Sequence, residues 1–169
     1  MSLSLYDVSI PALLRGLTNL GVLLDKGLQH AESRKFDPDI LAQARVFPDM
    51  LPFTRQVMIA GDMAKGCAAR LAAIENPKFE DTETTLAELK ARVVKTQEFI
   101  AGIPASRFEG AEGREVVIPA GGSTLKFNGT DYVTKFVLPN FYFHSSMVYA
   151  LLRHNGVDIG KRDFLGAIQ

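Results

Sequence analysis

The sequence lacks the residues that mark several specialised classes of protein. It has no tryptophan and one cysteine, Cys67, in 169 residues. A single cysteine cannot form an internal disulfide, which fits a reducing compartment. Nineteen basic residues balance nineteen acidic ones, so the chain carries no net charge. Without such a charge nothing draws the whole chain to nucleic acid or to an anionic membrane, and we expect neither partner.

Signals for export and membrane insertion are also missing. The N-terminal residues lack the basic segment and the uninterrupted apolar core of a signal peptide. No apolar run approaches the ~20 residues that a membrane-spanning helix needs. The hydrophobic content of 47% is ordinary for a globular protein. These features predict a soluble cytoplasmic protein with one domain, residues 1–169.

Four segments carry apolar residues at helical spacing, and we predict a long helix for each. Pro11 either lies in the first turn of the first helix or kinks it, and Pro139 is expected to kink the last helix without ending it. Gly121-Gly122 joins two short β-type runs in a predicted hairpin between the third and fourth helices. The residues after 156 are predicted to be mostly turn, draped over the helices. The predicted helices cover residues 5–33, 50–74, about 81–103 and 131–154.

Four apolar stripes are buried most naturally in a four-helix bundle. The sequence therefore predicts a mainly all-α fold with one short hairpin. Its most aromatic stretch is the last helix, which also carries two of the three histidines. Asn140 and His144 are four residues apart there and share one helix face.

This order of elements resembles the DinB/YfiT-like superfamily, and within it an uncharacterised bacterial subfamily, a domain of unknown function. The resemblance covers nearly the whole chain and implies a DinB-like four-helix bundle that forms a homodimer. The segments that carry it are LYD at 5–7, PNFYFH at 139–144, LRHNGV at 152–157 and GKRDFLG at 160–166.

Typical members of the superfamily bind a divalent metal through one histidine on the second helix and a pair on the last. In these proteins a Leu-Arg pair follows the second histidine, with the leucine eight residues and the arginine nine residues after it. The resemblance therefore makes His144 that ligand, since Leu152-Arg153 follows at this distance. Asn140 stands where the pair's first histidine would be, and the second long helix offers only Gln56 or Asp62.

A neutral amide is a poor ligand for metals that prefer imidazole, thiolate or carboxylate. His144, Asn140 and Asp62 would hold zinc, nickel or manganese weakly, and they equally describe a polar pocket without metal. We expect no tightly bound metal. Each residue also has a purely structural interpretation: His144 is a buried, hydrogen-bonded histidine, and Asp62 is either exposed or paired with His144 or Arg55.

Two functional hypotheses follow. The first is a non-catalytic bundle whose degenerate metal site has become a pocket for a small molecule. The alternative is a metal-dependent hydrolase or thiol S-transferase-like enzyme with His144 as ligand or base, assisted by Asp62 or Tyr142. The sequence shows no nucleophile–base pair and no substrate motif, and Cys67 fits a small buried filler. These points favour the first hypothesis.

Overall fold

The structure is a computed structural model that describes residues 3–167. It is a bundle of four long helices with a two-stranded antiparallel hairpin, as the sequence predicts. The long helices are α1 (Leu5–Arg34), α3 (Phe53–Leu71), α4 (Leu86–Ala101) and α6 (Leu138–His154). The short helices are α2 (Asp39–Ala42), α5 (Gly129–Asp131) and α7 (Lys161–Leu165), with 3-10 turns at Ala105–Phe108 and Ala111–Gly113. The strands are β1 (Val116–Ala120) and β2 (Ser123–Phe127).

Helix α1 begins at a capping box. The Ser4 hydroxyl accepts from the Asp7 backbone N–H, and the Asp7 carboxylate accepts from the Ser4 N–H. This reciprocal pair satisfies two donors that the helix itself leaves free. Pro11 is the seventh residue of α1, so it lies inside the helix and not in its first turn.

The second and third long helices form as predicted, but each is shorter than predicted. Helix α3 begins after Pro52, three residues later than predicted, and ends at Leu71, three residues earlier. The predicted start at residue 50 was wrong because Pro52 takes the extended N-cap position. Helix α4 begins after Thr85, whose hydroxyl forms a second capping box with Glu88.

The hairpin follows the predicted turn. Val116 pairs with Phe127 and Ala120 with Ser123, which leaves Gly121 and Gly122 as the two-residue loop. Both glycines have positive φ, 51° and 86°. A loop of this kind needs left-handed backbone at both positions, and glycine adopts it without steric cost.

The last long helix continues through Pro139, as predicted. Residues Tyr132–Val137 are π-helical, and the backbone returns to an α-helix at Leu138. A proline cannot donate to the carbonyl four residues earlier, so the hydrogen-bond register has to change near it. The irregularity expected at Pro139 therefore takes the form of a π-helical stretch just before it.

The C-terminal segment departs from the prediction of mostly turn, because residues 161–165 form helix α7. The Arg15 side chain donates to the Leu165 and Ala167 carbonyls, at 2.9 and 3.0 Å, and Asn19 donates to the Phe164 carbonyl at 2.9 Å. Lys26 forms an ion pair with Asp163 at 2.7 Å. A five-residue helix is marginal alone, so these contacts with α1 hold it.

One apolar core joins the long helices. It includes Leu13, Leu17, Leu20 and Leu24 of the predicted α1 stripe, while Leu28 is only partly buried. Cys67 is fully buried in it, as predicted for a filler. By length and composition α1 could also cross a membrane. The core helices of soluble proteins meet the same criterion, and the leucine stripe of α1 packs against the bundle.

Gly16 and Gly21 provide a matched pair for testing how closely α1 and α6 pack. A Cβ at Gly16 would come within 2.6 Å of the buried Phe141 ring, whereas a Cβ at Gly21 would meet nothing within 4 Å. Gly21→Ala should raise the free energy of unfolding by about 0.5–1 kcal/mol, because alanine favours a helix interior. Gly16→Ala should lower it by about 1–3 kcal/mol through overpacking. Urea denaturation measures both, and equal effects would contradict the close α1–α6 contact.

Candidate functional site

His144 lies on α6 with its side chain against α3. The residue is 8% exposed, and its Nδ1 lies 2.7 Å from Oε1 of Gln56, which is itself buried. The Gln56 amide nitrogen donates to the Leu51 carbonyl at 3.1 Å, just before α3 begins. The imidazole is therefore the end of a short polar chain from the α2–α3 connection into the bundle.

This chain assigns the tautomer of His144. A carbonyl can only accept, so the amide nitrogen of Gln56 must face Leu51 and its oxygen must face the histidine. That oxygen also can only accept, so Nδ1 carries the proton. In the neutral ring Nε2 then holds the lone pair. This is the form in which a histidine acts as a metal ligand or a base.

Burial lowers the pKa of His144 below its usual value of 6.5, because the charged imidazolium loses hydration there. The ring is therefore neutral at pH 7. The structural interpretation of His144 as a buried, hydrogen-bonded histidine describes these contacts fully.

Asn140, which stands where the first histidine of the pair would be, lies one turn before His144. Its amide nitrogen donates to the Phe136 carbonyl at 2.7 Å. This bond falls where the chain leaves its π-helical stretch, so Asn140 satisfies a carbonyl of its own helix. Its amide is thereby engaged within the helix.

Asp62 has different partners from those expected. Its carboxylate lies 3.1 Å from the Arg92 guanidinium and 3.2 Å from the Lys65 ammonium. The expectation of His144 or Arg55 as partner was wrong, since His144 bonds Gln56 and Arg55 pairs with Asp81 at 2.5 Å. Six residues separate Gln56 from Asp62, which puts them on different faces of α3. The face with Gln56 meets α6, and Asp62 reaches towards α4.

Arg92 is a buried cation that the sequence analysis missed. Its side chain is 2% exposed, and it contacts Asp62, Asp81 and Glu83 at 3.0–3.1 Å. A charge at this depth needs such neutralisation. Although burial alone would raise it, the contacts with Arg55 and Arg92 hold the pKa of Asp81 below its usual value. This cluster fixes the α3–α4 connection, and Asp62 belongs to it.

The ring of Phe79 adds to the same cluster. The Lys65 and Lys95 ammonium groups lie 4.0 and 4.3 Å from its centroid, and the Arg92 guanidinium lies at 5.5 Å. Cations over an aromatic face are attracted by its quadrupole. No sequence motif marked Phe79, because the three cations come from α3 and α4 and meet only in the folded chain.

Tyr142 lies on a third surface. Its side chain is 43% exposed and lines a cavity of about 470 Å³ between α1, α6 and α7. Ser145 lines the same cavity, and its buried hydroxyl has no hydrogen-bond partner within residues 3–167. No sequence motif marks Ser145. His144 and Ser145 are consecutive residues of α6, and they face α3 and α1, respectively.

The four side chains chosen from sequence therefore lie in three surroundings. Within the described residues, no three histidine, cysteine, aspartate or glutamate side chains are placed to hold a metal ion. Adding Asn140 does not complete a set, because Asp62 is bonded to Arg92 and Lys65, away from the face of α3 that contacts His144. The residues do not fit the three-ligand centre of the superfamily.

Comparison with known proteins places this fold in a family. The model of a domain of unknown function, DUF1993, matches residues 5–165. The chain belongs to the DUF1993 family. A solved structure of a DinB family member protein from Shewanella denitrificans is 37% identical, with a TM-score of 0.88 over 97% of this chain and 93% of that one. No curated protein matches the chain.

The match to a DinB family member confirms the resemblance drawn from the sequence and the DinB-like, mainly α-helical fold. Neither the DUF1993 description nor that structure's name states a substrate, a metal or a reaction. The function of this DUF1993 protein therefore has to be argued from its own side chains.

NMR of the imidazole nitrogens tests the assigned state of His144. We expect the Nδ1–H tautomer at pH 8 and a pKa below about 6.5, the value of an unperturbed histidine. The unfolded chain then binds the proton more tightly, so the stability that His144 contributes is complete above about pH 6.5 and falls as the pH decreases below it.

Two variants sharpen this test. Gln56→Leu removes the acceptor and should shift the population towards the Nε2–H tautomer. Asn140→Ala removes an amide that bonds the Phe136 carbonyl and not His144, so it should leave the tautomer unchanged. A dominant Nε2–H form in the native protein would show the assignment to be wrong.

Proposed function

We propose that this DUF1993 protein is a non-catalytic, DinB-like bundle that binds a small molecule and whose ancestral metal site is degenerate. One observation carries the proposal: Asp62, an expected ligand of the metal site, is bonded to Arg92 and Lys65 on a different face of α3 from the one that contacts His144. Gln56 holds His144, the Phe136 carbonyl holds Asn140, and Arg92 holds Asp62. A metal centre needs donors that converge on one point with free lone pairs.

The reactive groups of the described chain also favour binding over catalysis. Burial raises the pKa of the Cys67 thiol to about 12, so it is not a thiolate at neutral pH. Burial likewise raises the pKa of the Tyr132 phenol to about 12, despite a hydrogen bond from Arg70. Tyr142 lies on the α1–α6–α7 cavity, apart from the His144–Gln56 pair. None of these provides an activated nucleophile beside a base.

The capacity to bind a small molecule comes from the cavity. Its volume of about 470 Å³ falls within the roughly 300–1,000 Å³ of small-molecule sites. The balanced charge argues against nucleic acid or a membrane as partner, and the single cysteine fits a cytoplasmic protein.

The alternative is a metal-dependent hydrolase or thiol S-transferase-like enzyme that uses His144. The assigned tautomer favours it, because an Nδ1–H held by an amide oxygen leaves Nε2 as a basic nitrogen. Ligating histidines are oriented by a second hydrogen bond of this kind. Such an enzyme would have to recruit further ligands, since Asp62 and Asn140 are engaged elsewhere.

Metal analysis of protein purified without a histidine tag separates the two functions. We expect well below one metal ion per chain, and a melting temperature that Zn²⁺, Ni²⁺, Mn²⁺ or EDTA leaves unchanged, because binding to the native state would raise it. His144→Ala and the control His154→Ala should have equal metal contents. Near-stoichiometric metal that disappears only in His144→Ala would overturn the proposal in favour of the enzyme.

We also propose a homodimer, which the resemblance to the superfamily supports. Exposed apolar side chains such as Phe47, at 62%, and Phe143, at 54%, supply surface that an interface would cover. Light scattering should then give twice the chain mass of 18.5 kDa at micromolar concentration. A mass of one chain would end this part of the proposal without affecting the ligand-binding part.

A further inference from the structure

The cavity between α1, α6 and α7 has mostly apolar walls. Leu20 and Leu23 come from α1, Phe141 and Tyr142 from α6, and Phe164 from α7. Apolar cavities of only about 150 Å³ already bind benzene, so the 470 Å³ here has room for a substituted ring. Such walls favour a molecule whose body is a hydrocarbon.

Ser145 is the exception in these walls. It is 3% exposed, and its hydroxyl has no partner within residues 3–167. Other helical hydroxyls of this chain are satisfied by the carbonyl four residues earlier: Ser9 bonds Leu5, and Thr96 bonds Arg92. A buried hydroxyl left unpaired is unfavourable, and rotation of the Ser145 side chain towards the cavity would let a ligand oxygen satisfy it.

The remaining polar groups of the cavity are used to hold the wall. The Arg15 guanidinium donates to the Leu165 and Ala167 carbonyls, and the Asn19 amide donates to the Phe164 carbonyl. No carboxylate or lysine lines the cavity. The groups that remain for a ligand are apolar surface and the hydroxyls of Ser145 and Tyr142, which favours an uncharged ligand.

We propose that this cavity binds a small, uncharged, mainly hydrocarbon molecule through apolar contact and one hydrogen bond between its single oxygen group and Ser145. The inference rests on the proposed ligand-binding function, and it names the site and the chemical class of the ligand. An alkylphenol has the required features, because its hydroxyl can both donate to and accept from a serine hydroxyl.

Two probes that differ only by the oxygen test the inference. 4-Propylphenol carries the hydroxyl and propylbenzene lacks it, and NMR titration of labelled protein gives the Kd of each. Ser145→Ala should weaken 4-propylphenol about fivefold, the effect of one hydrogen bond, and should leave propylbenzene unchanged or slightly tighter. In the native protein, NOE contacts should connect 4-propylphenol to Leu23 and Phe164.

A second pair of variants locates the site. Ala12 lines the cavity, so Ala12→Phe should occupy part of it and weaken the binding of both probes. Val22 lies on the same helix, is 42% exposed and does not line the cavity, so Val22→Phe should leave both Kd values unchanged. If Ala12→Phe fails to fold, the NOE contacts decide the location instead.

Several results would overturn the inference. They are no saturable binding of either probe to the native protein, an equal loss of both probes in Ser145→Ala, or NOE contacts outside the cavity. A change in mass caused by Ala12→Phe but not by Val22→Phe would show that a second copy of the chain covers this face. Kd values that Ala12→Phe leaves unchanged would refute this site and leave the ligand-binding function standing.

Discussion

The burial of Arg92 is the constraint on which the site depends. A guanidinium that is 2% exposed has to be neutralised, and the chain brings Asp62, Asp81 and Glu83 to it from α3 and from the α3–α4 connection. That requirement determines the path of the connection between the two helices. It also determines the role of Asp62 on α3. This carboxylate resembles a metal ligand in the sequence, but in the fold it is ion-paired with Arg92 and Lys65.

Two consecutive residues of α6 face different helices and have different surroundings. His144 turns to α3, where an amide holds it, and Ser145 turns to α1, where no group satisfies it within the described chain. Neighbouring helix positions are about 100° apart, so one step along the chain moves from a polar contact to an apolar cavity. The imidazole of His144 already has a hydrogen bond, whereas the Ser145 hydroxyl has none within the described chain. The cavity is therefore the place where a ligand would supply a missing hydrogen bond.

The sequence predicted the long helices and the hairpin because their signals are local. The leucine spacing of α1 and the Gly121-Gly122 turn each act within a few residues, whereas the start of α4, predicted near residue 81, lies after Thr85. The partners of Asp62 could not be predicted in this way, since Arg92 lies thirty residues further on and on another helix. The unsatisfied state of Ser145 likewise depends on packing between helices.

Helix α7 was not predicted from the sequence, for a related reason. It has no buried residue of its own, and α1 holds it through partners about 150 residues earlier in the chain. A five-residue segment with these contacts has little intrinsic stability, so it belongs to the part of the fold that opens most readily. Because Phe164 and Leu165 form one wall of the cavity, that wall is its least stable part. Local opening of the wall would leave the bundle itself folded.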